Sequence, residues 1–201
     1  MKPILFSTPM VEAILGDRKS MTRRVITELP KPYGLADSME DLIALAKPRY
    51  LPGDVLWVRE TFCLGKVECG ENPDGSDAWY IEPDDDGGII PKQWAISHDI
   101  GMDDVKWRPS IFMPKEFARI FLRVIGVRAE QVCDITEDDA RAEGIGFPLF
   151  SKYDLEDYGY AGCFEMLWDH LNEKRGYGWD KNPWVWVYKF ERIERPEEQN
   201  A

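Results

Sequence analysis

The feature that most constrains this chain is the spacing of its strand-like runs. Three runs, 55–61, 118–132 and 184–190, are rich in β-branched and aromatic residues and alternate with the period of a pleated strand. They lie far apart in sequence, separated by short helical patterns and turn-rich stretches, and no segment repeats. A doubly wound parallel sheet needs a regular strand–helix–strand rhythm, which is absent here. The spacing therefore predicts an α+β fold: a small mixed β-barrel with flanking helices and loop-rich insertions.

Local signals place the elements. Ile4 to Ser7 reads as a first strand, and Thr8-Pro9 as a helix start whose apolar face is Val11, Ile14 and Leu15. Gly16-Asp17 stops that helix, because Gly is favoured past a C-terminus and Asp tolerates a left-handed turn. Residues 27–50 carry three prolines around a weakly helical Met39 to Ala46 and read as an insertion. Leu51-Pro52-Gly53-Asp54 is a turn, since Pro presets its first central position and Gly takes the second. Residues 63–107, rich in Gly, Asp and Pro, read as a second insertion holding one short strand at Trp79-Tyr80-Ile81. Thr136 opens a helix with capping-box character that stops at Gly144, and Phe164, Leu167, Trp168 and Leu171 mark another over Gly162 to Asn172. The expected organisation is one domain over residues 1–195 and a polar tail over 196–201.

Charge narrows the function classes. The 201 residues carry 25 Lys and Arg against 37 Asp and Glu, a net charge of −12. That balance opposes a protein that tracks along nucleic acid, since such binding rests on neutralising phosphates. The excess is uneven: nine basic residues face eight acidic ones in residues 1–60, four face eleven in 61–110, and twelve face eighteen in 111–201. The run from Arg18 to Arg24 is thus a basic island, suited to a local pocket for one base or nucleotide. Four irregularly spaced cysteines and two histidines give no disulfide framework or zinc pattern, so buried free thiols are expected. No stretch has the length of a membrane span, and the N-terminal run, broken by Pro9 and Glu12, does not read as a signal peptide; a cytoplasmic protein is expected.

Several residue groups could carry chemistry. A hydroxyl becomes a nucleophile when a neighbouring base takes its proton, and Lys19 could serve Thr22 if the chain turns between them. A flat strand would put two residues three apart on opposite faces. Glu143 lies in the last turn of a short helix, where the dipole disfavours a carboxylate and favours the protonated form that a general acid needs. Arg23 and Arg24 suit phosphate or carboxylate recognition. Trp184 and Trp186, with Trp179 before them, form either an aromatic wall or strand packing.

Lys19-Ser20-Met21-Thr22-Arg23-Arg24, the Pro52-Gly53-Asp54-Val55-Leu56 turn, and Thr136-Glu137 through Glu143 together resemble the ASCH domain of the PUA-like superfamily. Adding Trp57-Val58-Arg59-Glu60, Trp107-Arg108-Pro109-Ser110, Gly176-Tyr177-Gly178-Trp179 and Asn182-Pro183-Trp184, nearly the whole chain is similar to a phage and prophage branch labelled morphogenetic proteins. The family pattern is Gly, one residue, Lys, two residues, Thr, one residue, Arg. Lys19, Thr22 and Arg24 match it, while Asp17 stands at the Gly position.

The resemblance implies a small β-barrel with a cleft at its edge that binds RNA or a modified nucleobase. One branch is similar to amidohydrolases that remove the acetyl group from N4-acetylcytidine, with a Lys, a Thr three residues later and a distant Glu as catalytic set. Those roles carry over to Lys19, Thr22 and Glu143, with Arg23, Arg24, Glu60 and Trp184 as substrate-binding residues and no metal or cofactor. The readings left open are an amidohydrolase acting on N4-acylated cytidine, a non-catalytic module binding RNA or a modified nucleobase, and a phage assembly role. The partner expected is a nucleoside, modified nucleobase or RNA.

Overall fold

A computed structural model describes residues 1–27, 46–71, 76–83, 88–102, 105–146 and 149–196. Among these residues the chain has eight β-strands, four α-helices and several short 3₁₀ turns, which is the expected α+β class. The helical expectation for Met39 to Ala46 falls on residues 28–45, outside the described set, except for Ala46. The chain divides into two compact units. One comprises Met1–Glu12, Leu56–Phe121 and Glu194–Ala201; the other comprises Ala13–Val55 and Leu122–Ile193.

In the first unit, β1 (Lys2–Leu5) pairs in parallel with β3 (Val55–Arg59), matching Ile4 to Val58. The acidic stretch holds more regular structure than its composition predicts. The expected Trp79–Ile81 strand is the middle of β5 (Asp77–Pro83), which pairs antiparallel with the long β4 (Phe62–Glu71). On the other side of β4 lies β6 (Gly88–Pro91), followed at once by helix α2 (Lys92–Ser97). Cys63, Ile81, Ile90, Ala95 and Ile100 form the small core that stabilises this sheet. Asp77 opens β5 and Gly88 opens β6, whereas Gly65 stands inside β4.

The second unit carries β2 (Met21–Val25), β7 (Phe121–Gln131) and β8 (Trp184–Ile193) in the spatial order β7-β8-β2. Helix α1 (Thr8–Leu15) leads the chain into this unit, with Val11 and Ile14 buried as expected. The turn before β3 forms as read: Asp54 N–H donates to Leu51 O at 3.0 Å, and Gly53 takes φ 91°, a conformation that disfavours residues with a Cβ. Helix α3 (Glu137–Ala142) is capped by the Thr136 hydroxyl, which accepts from Asp139 N–H. Helix α4 (Lys152–Asn172) starts ten residues before the expected helix, at a Ser151–Asp154 capping box, and kinks at Gly159. After the kink it is re-capped by Glu137, whose carboxylate accepts from Tyr160 and Ala161 N–H.

Pleating sorts the side chains of β2 and β8 onto two faces. Met21, Val185 and Val187 join Val132, Ile135, Phe164 and Trp168 in the core under α4. Thr22 and Arg24 stand on the opposite face, across the ladder from Tyr188 and Trp186. The four cysteines are unpaired; Cys63 and Cys163 are buried, whereas Cys69 and Cys133 are exposed, contrary to the expectation for all four. No helix among the described residues is long and apolar enough to cross a membrane.

Candidate active site

The segment Arg18–Ser20 is fixed by backbone hydrogen bonds before any side chain acts. Arg18 and Lys19 N–H both donate to Ala13 O at the end of α1, and Ser20 N–H donates to Ala142 O at the end of α3. Asp17 takes φ 55°, so an aspartate supplies the left-handed turn. Lys19 and Glu143 then face each other as an isolated antiparallel bridge beside the edge strand β2. The close approach depends on Gly144, at φ 87°. A Cβ there would lie 2.9 Å from Ala13 Cβ and 3.0 Å from Lys19 Cβ.

Lys19 Nζ donates to the Glu143 backbone oxygen at 2.7 Å and to Glu143 Oε2 at 2.8 Å. Its side chain is fully shielded from solvent. Burial pushes the Lys19 amine below the ordinary lysine value of 10.5; Glu143 opposes that shift, while Arg24 and Arg23 add to it. Burial is the largest of these causes.

Arg23 occupies the other side of the carboxylate. Its Nη1 donates to Glu143 Oε1 at 3.1 Å and to Met21 Sδ at 3.6 Å. Its Nε and Nη2 donate to Glu130 Oε1 at 3.0 and 2.5 Å, and Nη2 also donates to Asp139 Oδ2 at 2.8 Å. The guanidinium lies over the Phe164 ring, 5.7 Å from its centroid. Burial disfavours the charge on Arg23, but Glu143 and Glu130 outweigh it and hold the guanidinium more firmly protonated than usual. Arg128 closes the network from outside, donating to Glu130 at 2.8 Å and to Asp139.

Thr22 is buried in β2, directly across from Tyr188. Arg24, two residues on along the same face, is exposed and pairs with Trp186; its electrostatic neighbours are Glu143, Tyr50, Tyr188 and Arg49. Trp184 is half-buried on that face, whereas Trp179 turns its ring against Phe164 in the core, and so is packing rather than wall. Glu60 belongs to the first unit. Its carboxylate is 2% exposed and is held by Arg119 through bonds of 2.9 and 2.7 Å, making it the enclosed half of an ion pair whose arginine reaches solvent, rather than an open contact group.

Sequence reading missed Glu130 and Asp139, which anchor Arg23, and the spatial demand on Gly144. Asp139 sits three residues past the helix-capping Thr136, but nothing local links it to an arginine 116 residues earlier. No group of His, Cys, Asp and Glu among the described residues could hold a metal ion.

No family model matches the sequence, and no curated protein matches it. Among solved structures the chain is similar to a protein from Enterococcus faecalis V583 described under the family model DUF984, at 9% identity and a TM-score of 0.37. That similarity covers 91% of this chain and 66% of the other, so the chain spans just under two thirds of its length. It is also similar to an ASCH domain from Lactobacillus crispatus JV V101, at 11% identity and a TM-score of 0.39, over 92% of this chain and 71% of that one. By its own elements, the protein is of the α+β class, and its second unit carries a buried lysine–glutamate pair with an arginine on the far side of the carboxylate.

Proposed function

We propose that the chain is an ASCH-like amidohydrolase that removes the acyl group from an N4-acylated cytosine base, using Lys19, Thr22 and Glu143. The observation that carries this reading is the 2.8 Å contact between Lys19 Nζ and Glu143 Oε2, in a site where burial holds the amine below its usual value. The motif resemblance supports it, since the Lys, Thr and Glu of the family set correspond to the same residues.

The proposed cycle starts with one proton on this pair. With the proton on Glu143, Lys19 is a neutral base and Glu143 is an acid. Lys19 takes the hydroxyl proton of Thr22, Oγ1 bonds to the amide carbonyl carbon, and the C–N bond breaks as Glu143 delivers its proton to the exocyclic nitrogen. Water then attacks the acyl-threonine ester and gives a proton to Glu143. Lys19 returns its proton to Thr22 Oγ1 as the carboxylic acid leaves, so the cycle consumes one amide and one water. Arg24 and Trp184, on the Thr22 face of β2 and β8, are positioned in this reading to receive the nucleotide portion of the substrate.

The test is incubation of the purified protein with N4-acetylcytidine and other N4-acylated cytidines, followed by chromatography for loss of the acyl group. Turnover is expected, and Glu143→Gln should lower kcat about 100-fold while leaving KM nearly unchanged. Nucleoside or RNA binding without turnover of any analogue would leave a non-catalytic binding module.

A further inference from the structure

Arg23 was expected to bind substrate, yet each of its nitrogens is already engaged inside the protein. Nε faces Glu130, Nη1 faces Glu143 and Met21, and Nη2 faces Glu130 and Asp139, with the side chain 1% exposed. A guanidinium has five donors in a rigid plane, and these contacts come from β2, β7, α3 and the end of α3. We infer that Arg23 is a positioning residue: anchored by Glu130 and Asp139, it holds Glu143 Oε1 so that Oε2 is presented to Lys19, and it makes no contact with substrate.

The division of the carboxylate follows from this geometry. Oε1 accepts from Arg23 at 3.1 Å and Oε2 from Lys19 at 2.8 Å, so neither cation takes both oxygens. Without the fork, Glu143 would be free to turn both oxygens to Lys19 and hold it as an ammonium. Among the described residues, the charged groups that act on Lys19 are Glu143 at the end of α3 and Arg23 and Arg24 on β2. Glu130 and Asp139 are tied to Glu143 through Arg23. A lysine at position 23 would keep the positive charge but, as a single point donor, could not satisfy three carboxylates at once.

The inference rests on the proposed chemistry, and two measurements separate the failure of each. The first is kcat and KM for N4-acetylcytidine with Arg23→Lys and Glu130→Gln. Arg23→Lys should lower kcat about 100-fold with KM within about twofold, and Glu130→Gln should lower kcat less, in the same pattern. A rise in KM with kcat retained would make Arg23 a substrate contact and overturn the inference, as would an unchanged Arg23→Lys enzyme. The second measurement is titration of the Lys19 amine by NMR in the wild type and Arg23→Lys, which needs no turnover. A midpoint moved to higher pH supports the positioning role even if no N4-acylated substrate is cleaved; an unmoved midpoint overturns it. Should Arg23→Lys fail to fold, Glu130→Gln carries the same kcat-against-KM test.

Discussion

Each of the two units buries a carboxylate against a cation, and the two pairs are built differently. In the first unit, Arg119 grips Glu60 with two parallel bonds, and Glu60 is enclosed. In the second, Glu143 is divided between Lys19 and Arg23, and Arg23 is divided again among Glu130, Asp139 and Met21. In the Glu60–Arg119 pair both carboxylate oxygens are taken by one guanidinium. The divided pair contains a lysine pushed toward its neutral form, the state in which it can accept a proton. Geometry distinguishes the two pairs: one guanidinium takes both oxygens of Glu60, whereas the oxygens of Glu143 go to two different cations, the arrangement that the proposed proton transfer requires.

The largest test of this contrast is to remove the proposed base or nucleophile. Lys19→Ala and Thr22→Ala should each lower kcat on an N4-acylated cytidine by at least about 1,000-fold, roughly 4 kcal/mol of transition-state stabilisation. A Thr22→Ala enzyme with normal kcat would eliminate the covalent route. Next is Arg119→Met, which strands the Glu60 carboxylate in the first unit. It should cost about 1–3 kcal/mol of stability in chemical denaturation, with kcat of the folded fraction unchanged. A stable Arg119→Met protein with impaired turnover would reverse the roles assigned to the two pairs.

Gly144→Ala probes the space that the Lys19 stem needs. The positive φ and the close approach to Ala13 and Lys19 should together cost about 2 kcal/mol of stability and displace the amine, lowering kcat as well. Full activity in that variant would show that Lys19 does not depend on this contact. The smallest effect is on the pH dependence of stability. The folded state binds the Lys19 proton below the 10.5 that applies to the unfolded chain. Between the two midpoints the unfolded state holds more protons, so the stability linked to Lys19 rises with pH and levels off above 10.5. Denaturation of the wild type and Lys19→Met from about pH 7 to about pH 11 should show the difference moving in favour of the wild type as pH rises. A difference that moves the other way contradicts a lowered amine.

Much of this arrangement is legible residue by residue. Thr136 marks the start of α3 and Gly144 its end, because a hydroxyl cap and a left-handed glycine act within one turn of chain. The Leu51–Asp54 turn is equally local, as is the left-handed Asp17. Other features were hidden because their cause is distant. Glu60 reads as a substrate-binding motif residue, and its pairing with Arg119, 59 residues away, is not visible in the sequence. Strands β4 and β6 are obscured by glycine and acidic residues; they are held by pairing with neighbours and by a core that includes Ile100. Arg23 and Arg24 look equivalent in sequence, yet the pleat of β2 sends one toward Glu143 and the core and leaves the other exposed.

The sequence by itself determined where helices and turns begin and stop, the α+β class, and the residues capable of proton transfer, because these depend on side-chain chemistry and on neighbours a few residues away. The tertiary structure alone decided which cation takes which oxygen of Glu143. That choice rests on the Lys19–Glu143 bridge, on the fork of Arg23 held by Glu130 and Asp139, and on burial that excludes water, and each spans more than a hundred residues of chain. Local propensity carries no information across such distances; only the folded chain brings these charges into a common low-dielectric space where a few tenths of an ångström decide their partners.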